Sequence, residues 1–238
     1  MPTPPPTLPT PPPRADPAVP QPGRPSVRLM TVADLPFVIT EHRRSLPDGL
    51  YPRLGAAFLT RYHAGYLASP GSVSLVAELG GRPAGFLAGI TCPAAHRQAM
   101  RRAWWGWAAA AVPALLRRPR LLRRLAAQHA ARGLRSLPGR PAPRPGAGDV
   151  GRVGILSYLA VAPPARRQGV GEALLRCFLD GARRAGCTKV TLATQLGPGG
   201  AVAYYANRGW TAEGVHWPPA GPPLQVMAWT WPPHRAAR

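Results

Sequence analysis

Leu156-Ser-Tyr-Leu-Ala-Val-Ala-Pro-Pro-Ala-Arg-Arg-Gln-Gly-Val-Gly-Glu-Ala-Leu-Leu-Arg176 reads as a buried strand, a tight basic glycine loop and the start of a helix. Leu156 to Ala162 is short and apolar, and Pro163-Pro164 brings it to a stop. From Val170 the apolar positions Val170, Ala173, Leu174, Cys177, Phe178 and Ala182 keep the three/four spacing of one helix face. Between strand and helix lies Arg166-Arg167-Gln168-Gly169-Val170-Gly171. A helix N-terminus leaves backbone N–H groups unpaired and carries a partial positive charge. Glycines there admit a phosphate close to the backbone, and the arginines add full charge. The stretch predicts an anion cradle suited to a pyrophosphate.

Two common phosphate sites do not fit it. The dinucleotide fingerprint needs a third glycine where this chain has Leu174, and an acidic ribose partner near Thr191. The P-loop needs Gly-Lys-Ser/Thr after four spacer residues, and that is absent. What remains is Arg-x-x-Gly-x-Gly at a strand-to-helix junction, which resembles the coenzyme A loop of the GNAT superfamily of N-acetyltransferases. A second signature of that superfamily follows about thirty residues on. Thr188 to Gln195 reads as a strand, and Ala201-Val-Ala-Tyr-Tyr-Ala-Asn-Arg-Gly209-Trp210 as a short helix ended by glycine. The pattern Ala-x-x-x-Tyr-x-x-x-Gly-aromatic places Tyr205 at the family's tyrosine. The resemblance is strongest over 151–216 and extends back to residue 27.

This resemblance implies an α/β fold with a mixed, mostly antiparallel central sheet flanked by helices. It implies acetyl-CoA as co-substrate, with no metal. The loop residues Arg166, Arg167, Gln168, Gly169, Val170 and Gly171 would hold the pyrophosphate, mainly through the amides of Arg167 to Gly171. Backbone groups near Leu159 and Val161 would bond the pantetheine arm, so that catalysis comes largely from proximity. Tyr205 would be the catalytic acid: a phenol with a pKa of about 10 stays protonated at neutral pH and can protonate a thiolate with a pKa of about 8–9.

The chain also departs from the family pattern. The Glu that many members carry on the fourth strand is Ile155 here, and a frequent Asn is Pro198. The base is therefore open among Glu41, His42, Asp48, His63, Glu78 and water. Glu172 and Asp180 read as complements to the start of the helix and its exposed face.

The rest of the chain has the element order expected of that fold. Residues 1–25 hold a dozen prolines and read as a disordered or polyproline II tail. The domain then runs over 26–233. Val27 to Val32 reads as a strand, Asp34 as the cap of a helix from Leu35 to about Arg44, and Leu54 to Leu67 as an amphipathic helix. That helix places Leu54, Ala57, Phe58, Arg61, Tyr62, Gly65 and Tyr66 on one side. Ser72 to Leu79 and Pro83 to Thr91 form a hairpin around Gly80-Gly81, and Leu224 to Trp231 supplies a last strand.

Between the third and fourth strands, residues 94–148 form a helical insertion with twelve arginines and no Asp or Glu. Trp104 to Leu116 is an apolar run broken at Pro113, too short to span a bilayer. Two readings of the insertion are open, a helical lid or acceptor platform and a contact with an anionic membrane surface.

Composition narrows the rest. The 238 residues carry a formal charge of +21, yet Lys189 is the single lysine. That arginine skew is what a GC-rich coding sequence produces, so the charge alone names no partner. No recognition motif accompanies it, which argues against nucleic acid. Cys92, Cys177 and Cys187 have no metal spacing and suggest no disulfide framework. With no apolar core for a signal peptide, the expected location is cytoplasmic. The function expected is acetyl-CoA-dependent transfer to a small-molecule or peptide amine. The alternative is a CoA-binding module of this fold, with little catalysis, held at a membrane surface by its insertion.

Overall fold

The hairpin expected around Gly80-Gly81 is the centre of the molecule. β2 (Ser72–Leu79) and β3 (Arg82–Ile90) pair antiparallel. Both turn glycines take positive φ, 58° and 74°, as a two-residue hairpin turn of the primed type requires. The structure is a computed structural model and describes residues 23–47, 49–117, 152–218 and 221–231. The proline-rich tail up to residue 22, Asp48 and residues 118–151 lie outside the described residues.

Strand β1 (Ser26–Leu29) edges the sheet beside β2, and β4 (Arg152–Val161) continues it beyond β3. Helix α6 (Val170–Arg184) then crosses over to β5 (Cys187–Gln195). The short helix α7 (Val202–Ala206), β6 (Thr211–His216) and β7 (Leu224–Thr230) complete the chain. The seven strands lie in the order β1-β2-β3-β4-β5-β7-β6. Among the described strands only β4 and β5 pair in parallel, and α6 between them returns the chain to the same end of the sheet.

Alternation along β2 and β3 sends neighbouring residues to opposite faces. Leu75, Ala77 and Leu87 meet α6, whose Leu174, Phe178 and Ala182 are fully buried. The phenyl of Phe178 lies over Gly89, where any Cβ would collide with the ring. Val76 and Phe86 face the other way, onto α1 (Leu35–Ser45) and α3 (Ala56–Ala68) through Val38 and Leu59. Each such Leu or Phe contributes about 1.5–3 kcal/mol by leaving water.

Three sequence expectations shift in this half. The helix expected from Leu54 begins at Ala56 as α3, after a separate short helix α2 (Leu50–Arg53), because Gly55 between them sits at φ 94°. The buried stripe of α3 is Phe58, Leu59, Tyr62, His63, Gly65 and Tyr66, while Ala57 and Arg61 are exposed. Asp34 precedes α1 as expected, but its carboxylate does not cap that helix. It accepts from the Thr31 N–H at 2.8 Å and pairs with Arg28 at 2.7 Å, closing the turn before α1.

The described part of the insertion is helical, as α4 (Pro93–Arg102) and α5 (Trp104–Arg117). Pro113 does not break α5; the helix runs through it. Its Ala111 is buried in a cluster with Leu54, Phe58, Tyr62 and Tyr66, and Leu115 packs there too. Packing against α3 offsets the cost of about 3 kcal/mol that an interior proline carries.

Candidate functional site: a cleft where two parallel strands part

β4 and β5 begin as neighbours and then separate. Their pairing covers only Arg152–Ile155 against Cys187–Thr191, after which β5 keeps β7 as its partner up to Gln195. The register of β4 on β3 slips at the same point: Tyr158 pairs with Ala88 but Leu156 with Gly89, so Ser157 is an extra residue. A bulge of this kind bends a strand away from its neighbour. Further along, Ala162 N–H donates to the Ala84 carbonyl at 2.8 Å. Backbone groups alternate sides along a strand, so those of Leu159 and Val161 point away from β3, and Leu159 lines the opening.

That opening is a cleft of about 760 Å³. Leu156–Leu159 of β4 and Leu192–Gln195 of β5 form its sides. Ser45, Leu46, Pro47, Gly49 and Arg53 close one end, and Pro218, Gly221, Pro222 and Leu224 border it from the loop before β7. Tyr205 also lines it. None of the described residues of the insertion does so; through Ala111 and Leu115 its α5 packs against α3.

The basic loop follows β4 directly. Arg166 Nε donates to the Val161 carbonyl at 3.2 Å, and Gln168 Nε2 to the Pro164 carbonyl at 2.7 Å. Both side chains therefore hold the shape of the loop. Arg167 and Gly169 take positive φ, 61° and 77°; for arginine this conformation is strained, as is common at binding loops. The first helical bond of α6 runs from Ala173 N–H to the Gly169 carbonyl, and no side chain caps the helix. The amides of Val170, Gly171 and Glu172 are thus left to an external acceptor. The two loop glycines serve different ends. Gly169 is required by its φ, whereas a Cβ on Gly171 would lie 2.9 Å from Tyr204 Oη. Gly171 admits the neighbouring tyrosine.

Tyr204 and Tyr205 point to different places from one short helix. The Tyr204 hydroxyl is buried without a hydrogen-bond partner, and its ring lies under Arg208, 3.9 Å from the guanidinium carbon. Arg208 in turn donates to Glu172 at 3.3 Å, tying α7 to the start of α6. Tyr205 packs edge-on against Tyr204 and Trp210. Burial pushes its pKa up, with a smaller contribution from Tyr204. It stays a proton donor throughout the physiological range.

The residues weighed as a base scatter. His42 and His63 bond each other at 2.8 Å in the interior. Burial pushes their pKa values down to about 4 and about 3, too low to hold a proton taken from an ammonium at neutral pH. Glu41 is buried and paired with Arg44 at 3.2 Å. Glu78 pairs with Arg28 at the β1 edge, at 2.8 Å. Ile155 stands partly exposed where a carboxylate was sought. Among the described residues, no Asp, Glu or His lines the cleft, and no group of His, Cys, Asp and Glu could hold a metal ion.

Two cleft residues had no signal in the sequence. Tyr158 lies inside the quoted stretch, yet its role depends on α3: its hydroxyl is 3.1 Å from that of Tyr62, which is 3.4 Å from that of Tyr66. Arg53 reaches the cleft only because α2 folds back from α1.

A parted β4/β5 pair, an uncapped helix start and a buried phenol mark the candidate site, and the comparisons give its class, an acyltransferase. The chain belongs to the acetyltransferase (GNAT) family, whose model matches residues 38–210. Comparison with curated proteins found no match. Among solved structures the chain is similar to Ard1 from Thermoplasma volcanium, with 15% identity, TM-score 0.52, and 87% of this chain and 97% of that one covered. It is similar to the ribosomal-protein-alanine N-acetyltransferase of Brucella melitensis, at 17% identity and TM-score 0.52, covering 87% and 99%. The ribosomal-protein-S18-alanine N-acetyltransferase of Escherichia coli aligns at 13% identity and TM-score 0.50, covering 90% and 99%. At these identities the likeness is one of fold. Among the described residues, no helix is long and apolar enough to cross a membrane.

Proposed function

We propose that this protein transfers an acetyl group from acetyl-CoA to an amine. The observation that carries this reading is the parting of β4 from β5, which leaves Leu159 without a partner on the β5 side in a cleft that Tyr205 also lines. Family membership supports the donor. The residues present fit it: free amides at the start of α6 suit a pyrophosphate, and an open strand edge suits the amide-bearing arm. Coenzyme A supplies the thioester.

The chain supplies position and a proton. Leu159 and Val161 hold the arm along β4, and the amides of Val170 and Gly171, with Arg166 and Arg167 nearby, hold the diphosphate. A neutral amine attacks the thioester carbon, the C–N bond forms and the C–S bond breaks. Tyr205 gives its proton to the sulfur, and the nitrogen releases one proton to water. Water serves as the proton acceptor in this reading; no carboxylate or imidazole lines the cleft among the described residues, and Asp48, between the lining Pro47 and Gly49, lies outside them.

Calorimetry with acetyl-CoA, followed by thiol release with a panel of amines, aminoglycosides and peptides, tests the reading. Saturable binding with amine-dependent thiol release is expected. A folded protein that binds no acetyl-CoA overturns it.

A further inference from the structure

Tyr204 carries a buried hydroxyl that the reaction described above does not use. Among the described residues its oxygen has no hydrogen-bond partner. A buried hydroxyl left alone costs stability that a phenyl ring of the same shape would not. The fold nevertheless holds it in place. Tyr205 meets the Tyr204 ring edge-on at 5.1 Å, and the Arg208 guanidinium covers one face at 3.9 Å. Arg208 is itself fixed, through the Tyr204 carbonyl at 3.0 Å and Glu172 at 3.3 Å. The ring cannot swing its hydroxyl out to water without breaking these contacts.

Where the hydroxyl lies is equally specific. A Cβ on Gly171 would stand 2.9 Å from Tyr204 Oη and 3.5 Å from Val161 Cγ2. The phenol therefore ends at the seam between the last residue of β4 and the first turn of α6. That turn presents the amides of Val170, Gly171 and Glu172 with no side-chain cap. One anionic acceptor placed there would serve the amides and the phenol together. Glu172, the carboxylate of the same turn, is not that acceptor. Its two oxygens are taken by Arg176 at 3.4 Å and Arg208 at 3.3 Å.

We propose that the Tyr204 hydroxyl donates to the diphosphate of acetyl-CoA, beside the free amides at the start of α6. The proposal rests on the acetyl-transfer reading and adds a binding residue to it, while Tyr205 remains the proton donor to sulfur. A hydroxyl donating to an oxyanion makes a charge-assisted bond, about twice as strong as a neutral one. Burial raises the pKa of Tyr204, so the phenol keeps its proton beside the anion. In the free protein the unpaired hydroxyl is a small destabilisation; a bound oxyanion turns it into an attraction. Removing it should therefore move stability and affinity in different directions.

Tyr204→Phe takes away the hydroxyl and keeps the ring. Calorimetry of the full chain with acetyl-CoA comes first, because no binding by the wild type means that the acetyl-transfer reading itself has failed, and the proposal with it. Once binding is established, the Kd for acetyl-CoA should rise about tenfold in Tyr204→Phe, as expected for a lost hydrogen bond to a charged group. The melting temperature without ligand should stay level or rise. A tyrosine that only fills space would give no such split between affinity and stability. S-acetylpantetheine, which lacks the diphosphate, supplies the control: the advantage of acetyl-CoA over it, as a ratio of Kd values, should shrink about tenfold in the variant. Equal acetyl-CoA affinity in the two proteins would overturn the proposal. A lower melting temperature of the ligand-free variant would also overturn it, by showing that the hydroxyl already has a partner. So would an unchanged ratio, which would put the effect on the pantetheine arm and not on the phosphates.

Discussion

His42 Nδ1 and His63 Nε2 share a hydrogen bond of 2.8 Å across the α1–α3 contact, with both rings buried against Phe86 and Tyr158. Two imidazoles in one apolar pocket cannot both charge without breaking that contact. What reads in the sequence as a choice of catalytic bases is, in the fold, a neutral polar pair that joins two helices.

A pH dependence of stability follows from that pair. Burial lowers both folded-state pKa values, to about 4 and about 3, below the unfolded value of about 6.5. The unfolded chain therefore binds more protons in the interval between them. Stability should be flat in these groups above about pH 6.5 and fall as the pH drops towards 4, by up to about 1.4 kcal/mol per pH unit for each histidine. Urea melts from pH 4 to 8 would show it. In His42→Gln the slope over this window should shrink; an unaltered slope would remove the pair as its source.

Tyr205 is expected to matter for turnover and little for folding. Tyr205→Phe keeps the ring packed against Tyr204 and Trp210 and removes only the proton donor. Thiol release should fall about 10- to 1000-fold, within the range of general-acid contributions, with acetyl-CoA affinity nearly unchanged. Since burial raises its pKa, wild-type activity should show no loss from this phenol's ionisation up to about pH 10. Equal turnover in the variant, with chemistry rate-limiting, would leave Tyr205 a packing residue.

Gly171 and Tyr204 should behave as a coupled pair. A methyl group at 171 meets Tyr204 Oη at 2.9 Å, so Gly171→Ala should destabilise by about 1–3 kcal/mol through overpacking. The hydroxyl it meets is buried and unpartnered. Tyr204→Phe alone should thus be neutral or slightly stabilising, and in that background Gly171→Ala should cost markedly less. A double-mutant cycle from chemical denaturation measures this directly. Additive effects would mean that Gly171 is constrained by something other than Tyr204.

Phe178 is the test of how β3 and α6 are held together. It is fully buried over Gly89. Phe178→Ala should cost about 3–5 kcal/mol, and Gly89→Ala should also destabilise, because the ring has no room to retreat. Thermal melts of both variants suffice; a Gly89→Ala protein as stable as wild type would show that the ring can move aside.

The sequence by itself determined the strand-loop-helix at 156–184, the hairpin at Gly80-Gly81 and the membership that two motifs in order imply. These features are local. Proline stops, glycine turns and three/four apolar spacing act over a few residues, and the structure reproduces them, with β4 beginning at Arg152, four residues before the strand expected from Leu156. The positive φ of Gly169 was implicit in its place before a helix.

Tertiary structure alone decided which side chains share the cleft. Arg53 and Tyr158 are 105 positions apart yet line one cleft, the first from α2 and the second beside the bulge of β4 at Ser157. Tyr204 and Tyr205 look alike in sequence, yet a single step along a helix turns one towards Gly171 and the other into the cleft. His42 and His63 looked like chemistry and proved to be core. Burial, which separates an available base from a neutral packed imidazole, depends on every element that closes over the ring, and no local pattern records that.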